Sequence, residues 1–284
     1  MPLELFEDEF GDPRNARTLA VAADIAYYAE PEGTAAFKSE FGMDALLIHA
    51  GNTQVYVASN DDHIVAAFRG TETPTSLEGI KDWLLTDAMN LLILPEGDIG
   101  TDFAAAGVGT RWHQGFIVAL NEVWAPFVAA VEARRKKSDR PLWLTGHSLG
   151  GALALLAGWR LKRKFIPVHQ IYTYGAPMVG NVEAAAKIDA EFGKKIYRYV
   201  NDQDPIPRLP TMSLLANQYG HCQKEILLCA SGAAAAASSL FGTLAGRAAD
   251  GLLKGTLIDD AWKCVVDCLG AHAMEKYRSH VGRL

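Results

Sequence analysis

In "PLWLTGHSLGGALALLAGW", residues 141–159, a short apolar run meets glycine, histidine and serine before uninterrupted helix formers resume. Glycine between a strand and a helix often does no more than make a turn, but that role leaves Ser148 unexplained. In a G-x-S-x-G elbow the strand-to-helix turn is so tight that the central residue is held in a strained backbone conformation, and glycine is needed on both sides. The spacing "GHSLG" meets that need, with Gly146 and Gly150 flanking Ser148. The context agrees: "LWLT" reads as a buried strand, and "ALALLAGWRLKRKF" as a helix whose basic end suits the helix dipole. Ser148 is therefore the candidate nucleophile.

The rest of the chain supplies the frame that such an elbow requires. "ARTLAVAADIAYYA" reads as a first helix, and "TQVYVASN" and "HIVAAFRG" as two strands joined by an "NDD" turn. In "TPTSLEGIKDWLLTDAMNLLIL", Thr75 and Glu78 form a capping-box pattern ahead of Leu77, Ile80, Trp83 and Leu84, which predicts a short amphipathic helix. A Gly-rich loop at 95–111 precedes a long helix, "GFIVALNEVWAPFVAAVEARRKK". After the elbow come a strand in "HQIYTYGAP", a helix in "NVEAAAKIDAEF" and a strand in "KKIYRYV". Strands alternating with helices of this length predict an α/β fold, a largely parallel sheet covered on both faces. With 284 residues, 49% hydrophobic and 21% charged, a single domain is expected over 1–284.

Charge and composition exclude several partners. The formal net charge is -6, and the only basic runs, "EARRKKSDR" and "RLKRKF", read as ends of amphipathic helices, so nucleic acid is not an expected partner. The acidic N-terminus "MPLELFEDEF" lacks a basic segment followed by an apolar core, so no cleavable signal is visible; a cytoplasmic protein, or one exported without such a signal, is expected. The uncharged run at 226–246 could span a bilayer by length alone. Its Ala, Gly and Ser content and the need for groups on either side of it to meet favour a buried or cap helix over a span. An interfacial anchor is the alternative. All four cysteines, Cys222, Cys229, Cys264 and Cys268, lie late in the chain, where free thiols are favoured over disulfides. Their spacings are not zinc-like, and no metal is expected.

A serine hydroxyl needs a histidine to take its proton and a carboxylate to orient that histidine, and in sheets of this type the chain order is Ser, Asp or Glu, His. "KKIYRYVNDQDPIPRLP" places Asp202 and Asp204 just past a strand, and local physics does not separate them. Near the C-terminus stand His272 and His280; the second lies four residues from the end, where fraying is expected, which favours His272. One oxyanion donor is expected at the backbone N–H of Leu149, the other in the "FRGTE" loop at Thr71.

The motifs "VAAFRGTE", "DWLLTDA", "WHQGF", "LTGHSLGGALALLA", "YTYGAPMVGN" and "YRYVNDQDPIPRLP" occur in an order and spacing that resemble the class 3, or fungal-type, lipase family, tightly over 66–210. The resemblance implies an α/β-hydrolase fold with Ser148, Asp204 and His272 as triad, Asp204 rather than Asp202 as the acid, and Thr71 and Leu149 at the oxyanion. It also implies that His221 is the family's non-catalytic histidine after "PRLP"; His113 and His147 read as structural. The activity implied is carboxylic-ester hydrolysis through an acyl-enzyme, acting on triacylglycerol or a related acyl lipid at a lipid–water interface, with no cofactor. A phospholipase A, or an esterase for short or aromatic acyl groups, is the alternative, and a catalytically silent binding module would show a broken triad. The chain departs from the family pattern in a longer stretch between "FRGTE" and "DWLL" and in its Ala-rich segment. A lid helix at 73–85 carrying Leu77, Ile80, Trp83 and Leu84, and a helical cap or insert at 211–262 before His272, are expected there. Oligomeric state is left open.

Overall fold

Side-chain alternation along seven strands organises the molecule. The computed structural model describes residues 2–70, 92–95, 97–209, 218–228 and 269–284. The expected lid at 73–85 with Leu77, Ile80, Trp83 and Leu84, the expected oxyanion residue Thr71, most of the Ala-rich segment, and Cys229, Cys264 and Cys268 lie outside these residues.

The strands are β1 (Asp44–Ala50), β2 (Thr53–Ser59), β3 (Ile64–Phe68), β4 (Leu142–His147), β5 (Gln170–Tyr174), β6 (Ile196–Asn201) and β7 (Glu225–Leu228), and they lie side by side in chain order. The first three are antiparallel, and every pairing from β3 to β7 is parallel. The helices are α1 (Pro13–Ile25), α2 (Glu32–Phe41), α3 (Gly97–Ala104), α4 (Gln114–Arg135), α5 (Leu149–Arg163), α6 (Val182–Phe192) and α7 (Met274–Val281).

Successive residues of a strand face opposite sides, and two cores result. Ile64, Ala66, Phe68, Leu142, Leu144 and Ile171 pack with Phe127 of α4, Leu153 of α5 and Ile188 of α6. Val65, Ala67, Trp143, Tyr172 and Tyr174 pack on the other side with Leu19 of α1, Phe37 of α2 and Tyr277 of α7. Burying each such large side chain contributes roughly 1.5–3 kcal/mol, so both faces are held. This is the parallel, doubly covered sheet that the alternation of strands and helices predicts.

Two local expectations need correction, and the sheet gains an unexpected edge. The region read as a Gly-rich loop at 95–111 contains α3, whose Phe103 packs on Trp112 with ring centroids 4.9 Å apart. The uncharged run at 226–246 does not open as a helix: Ile226 to Leu228 belong to β7, paired in register with Tyr199 to Asn201. Helix α2 and strand β1 add an antiparallel edge ahead of the expected hairpin. Helix α4, 22 residues long, is the described helix apolar enough to cross a bilayer, yet Phe116, Leu120, Val123, Phe127 and Val131 along it are buried in the core. A second sheet of four two-residue strands, Leu92–Ile93, Trp112–His113, Gly180–Asn181 and Tyr219–Gly220, closes one end.

Candidate active site

The elbow is built by close approach of backbones. A Cβ on Gly146 would lie 2.3 Å from the carbonyl of Gly150, and one on Gly150 would lie 2.1 Å from the Phe68 carbonyl oxygen. Only glycine lets β4, the first turn of α5 and the end of β3 meet this tightly. Ser148 between them takes φ 55° and ψ -128°, a costly conformation for a residue with a side chain, and its N–H donates to Tyr174 O at 2.9 Å. The strain is maintained because the neighbours on both sides fix it. Ser148 is 4% exposed at the C-terminal end of the parallel strands. Leu149 opens α5, so its N–H belongs to the first-turn donors that a helix leaves without an internal partner.

A second group of residues arrives from 68 residues apart in the chain. His272 Nδ1 is 2.7 Å from Asp204 Oδ2, and both side chains are buried. A carboxylate oxygen accepts, so Nδ1 carries the proton and Nε2 presents its lone pair. That Nε2 is buried and has no hydrogen-bond partner among the described residues. The ring lies 4.6 Å, centroid to centroid, from His147, the residue before Ser148. The structure therefore brings His272 and Asp204 into contact beside the elbow that carries Ser148; no hydrogen bond joins the Ser148 hydroxyl to His272 Nε2 among the described residues.

Asp204 is held on all sides. Its Oδ1 accepts the N–H of Ile206 at 2.9 Å, and the Tyr277 hydroxyl donates to Oδ2 at 2.6 Å while accepting from the N–H of Asn201 at 3.1 Å. Burial first, and the neighbouring carboxylate second, push the Tyr277 hydroxyl well above its usual range, so it stays protonated as a donor. Asn201 Nδ2 donates to Ala271 O at 2.8 Å, and its Oδ1 accepts from His280 Nδ1 at 2.8 Å. His280 thus supports the loop beneath His272 and does not meet Asp204. Asp202, the competing acid, is not the carboxylate that His272 Nδ1 meets; its backbone carbonyl accepts from Arg208 Nη2 at 3.2 Å.

The remaining histidines have other partners. His221 Nε2 bonds to the Pro207 carbonyl, and burial followed by the charge of Arg198 pushes it down to about 3. His113 caps α4 by accepting from the N–H of Phe116 at 3.4 Å. Cys222 is buried and unpaired, its thiol pushed up to about 12 by burial. No cluster of metal-ligating side chains occurs among the described residues. Sequence reading assigned no role to Tyr277, Asn201 or Tyr27; Tyr277 carried a faint signal as the tyrosine ending "AHAMEKY", whereas Tyr27 carried none.

Residues 65–214 match the family model described as lipase (class 3), just over half of the chain. The secreted mono- and diacylglycerol lipase 1 of Fusarium solani is 43% identical over 108 residues, 37% of this chain and 31% of that protein. The chloroplastic phospholipase A1-Igamma1 of Arabidopsis thaliana is 40% identical over 190 residues, 57% of this chain and 36% of that protein. The chain therefore spans about a third of the length of these curated relatives. A solved triacylglycerol lipase whose catalytic centre is formed by a serine protease triad is 26% identical, with a TM-score of 0.56 covering 75% of this chain and 78% of that one.

Proposed function

The chain belongs to the class 3 lipase family and has an α/β-hydrolase fold, and on that footing we propose that it is a serine hydrolase of acylglycerol esters. The observation that carries this reading is His272: Nδ1 is spent on Asp204 at 2.7 Å while the buried Nε2 is left without a partner beside the elbow. A neutral imidazole fixed in that tautomer is a ready base for a hydroxyl.

In the proposed cycle, Ser148 Oγ attacks the ester carbonyl carbon as its proton passes to His272 Nε2. The carbonyl oxygen becomes an oxyanion, received by the N–H of Leu149 and by Thr71, the donor expected from sequence. The tetrahedral species collapses, His272 returns the proton to the departing alkoxide, and the alcohol leaves with Ser148 acylated. Water then gives its proton to His272 and attacks the acyl carbon, and the carboxylic acid is released with the serine restored. Asp204 stays ionised throughout and offsets the positive charge on His272. The cycle calls on no metal or organic cofactor.

Acylglycerols are favoured as substrate by the similarity to the Fusarium solani lipase and to the solved triacylglycerol lipase, and the "secreted" in the former's name fits an exported enzyme. The similarity to the Arabidopsis phospholipase A1 supports a second reading, cleavage of an ester in a phospholipid by the same chemistry. Labelling with a fluorophosphonate, followed by peptide mapping, tests the nucleophile: an adduct on Ser148 is expected, and an active protein that labels elsewhere overturns the assignment. Turnover of monoacyl-, diacyl- and triacylglycerol beside phosphatidylcholine separates the two substrate readings.

A further inference from the structure

His147 is buried to 4% exposure and hydrogen-bonded at both ring nitrogens. Its Nε2 lies 2.6 Å from the backbone carbonyl oxygen of His272, and its Nδ1 lies 2.7 Å from the hydroxyl of Tyr27. A carbonyl oxygen can only accept, so Nε2 carries the proton; Nδ1 then holds the lone pair, and the Tyr27 hydroxyl donates to it. Both partners demand the same tautomer. Burial, and after it the proximity of His272, push His147 well below its usual range, so the ring is neutral at the pH where an ester hydrolase works. The two contacts join segments 120 and 125 residues apart in the chain.

Packing alone does not call for this residue. An apolar side chain of similar volume would fill the space between α1 and α7 without burying two polar nitrogens, each of which costs free energy unless it is paired. What the imidazole adds is a donor to one particular carbonyl, that of the proposed base. The carbonyl just before it, that of Ala271, is held in the same way by Asn201 at 2.8 Å. Two successive peptide groups are thus pinned on the loop that carries the His272 side chain. Tyr27 also touches the strand leading to the oxyanion loop: a Cβ on Gly70 would lie 2.1 Å from its hydroxyl oxygen and 2.6 Å from the His147 carbonyl oxygen. Both Tyr27 and His272 lie outside residues 65–214, where the family model matches.

We propose that His147, held in a single neutral tautomer by Tyr27, is a positioning residue that anchors the backbone of His272 and so keeps its free Nε2 beside the elbow that carries Ser148. The proposal rests on the serine-hydrolase reading above. A base that must accept a proton, hold it through the tetrahedral state and deliver it to the leaving group gains from a fixed backbone, because misplacement of a reacting group by about 1 Å can cost on the order of 10²-fold in rate. Substrate binding does not use this contact, so the loss falls on kcat and kcat/KM alike, with KM preserved.

The test uses the full chain, p-nitrophenyl butyrate as the soluble substrate, and the variants His147→Leu, His147→Gln and Tyr27→Phe. Leucine removes the donor, whereas glutamine offers an N–H close to where Nε2 stood. His147→Leu is expected to lose about 30- to 100-fold in kcat with KM nearly unchanged. His147→Gln is expected to recover most of that loss, and Tyr27→Phe to lose about 5- to 10-fold. Unchanged kcat in His147→Leu overturns the proposal, as does an equal loss in the leucine and glutamine variants that merely follows a shared fall in Tm. If His147→Leu does not fold, Tyr27→Phe decides: wild-type kcat there overturns it. A readout independent of turnover comes from ¹⁵N-labelled histidine, in which His147 is expected as the neutral Nε2–H form at neutral pH and to stay neutral below the usual histidine range. An Nδ1–H or a protonated ring overturns the proposal even in an active enzyme. Wild-type protein that neither turns over esters nor labels at Ser148, with that tautomer intact, counts against the hydrolase reading instead.

Discussion

The proposed nucleophile and the groups that would activate it are held by opposite kinds of structure. Ser148 owes its geometry to close approach of backbones, since Gly146 and Gly150 let the end of β4, the first turn of α5 and the end of β3 crowd together. His272 and Asp204 owe theirs mainly to side chains from distant segments: Tyr277 on the carboxylate, beside the local N–H of Ile206, and Asn201 and His147 on the carbonyls of the His272 loop. The elbow is thus a steric device, all or none, and the acid–base arm is a network whose members can be removed one at a time. Steric devices fail by unfolding, whereas networks fail by degrees.

The largest effect expected separates chemistry from fold at the elbow. Ser148→Ala should lose on the order of 10⁵- to 10⁶-fold in kcat while its Tm stays at or above that of the wild type, because alanine keeps the turn and removes only the oxygen. Adding His272→Ala should cost little more, since the two groups act as a unit. A steep further loss in the double variant would mean that they do not share one step. On the arm, Asp204→Asn should cost about 10⁴-fold by releasing the histidine tautomer. Asp202→Asn should remain within a few-fold, and the reverse ranking in the same assay would transfer the role of acid to Asp202.

Stability sharpens the contrast further. Gly150→Ala places a methyl group 2.1 Å from the Phe68 carbonyl oxygen, so urea unfolding should show a loss of about 3 kcal/mol. A loss near zero would mean that the elbow can relax, contrary to a steric device. Tyr277→Phe removes one donor from the buried carboxylate and leaves the Asn201 N–H without its acceptor. About 2 kcal/mol of stability should go with it, together with a smaller loss of activity than Asp204→Asn brings. If the two variants are equally inactive, the hydroxyl has a part in the chemistry itself.

The most gradual effect, read per pH unit, concerns acid. His147 and His221 are neutral in the fold, the first well below its usual range and the second pushed down to about 3, both chiefly through burial. Unfolded, each takes up a proton as pH falls below about 6.5, so the unfolded state binds more protons than the folded one. Their contribution is therefore complete above about 6.5 and is lost as pH falls toward 3, with a slope of up to about 1.4 kcal/mol per pH unit for each ring. Urea unfolding across this window should show His221→Gln flattening the slope. An unaltered slope would place the acid sensitivity in other groups.

Legibility in the sequence followed range. Helix α5 and the long helix α4 were readable because period and flanking residues agree over a dozen or more positions, and the six-residue strand β4 because the glycine elbow marks its end. Helix α3 was not: "GDIGTDFA" holds two glycines and two aspartates, poor helix formers, and it is the contact of Phe103 with Trp112 that supports the helix. Strand β7 was hidden in an apolar run of no definite period, and parallel pairing with β6 assigned it to the sheet.

At the site, the sequence by itself determined the turn of the elbow, because the approach of Gly146 to Gly150 acts over a few neighbouring positions and is written in their spacing; the Phe68 carbonyl that crowds Gly150 comes from a distant strand. It also narrowed the base and the acid to two candidates each. Only the tertiary structure brought His272 onto Asp204 across 68 residues, gave His280 to Asn201, and set Tyr27 and His147 behind the base. The physical reason is that a hydrogen bond depends on distance and angle in space, which residues far apart in the chain acquire only when the two cores on either side of the sheet have closed.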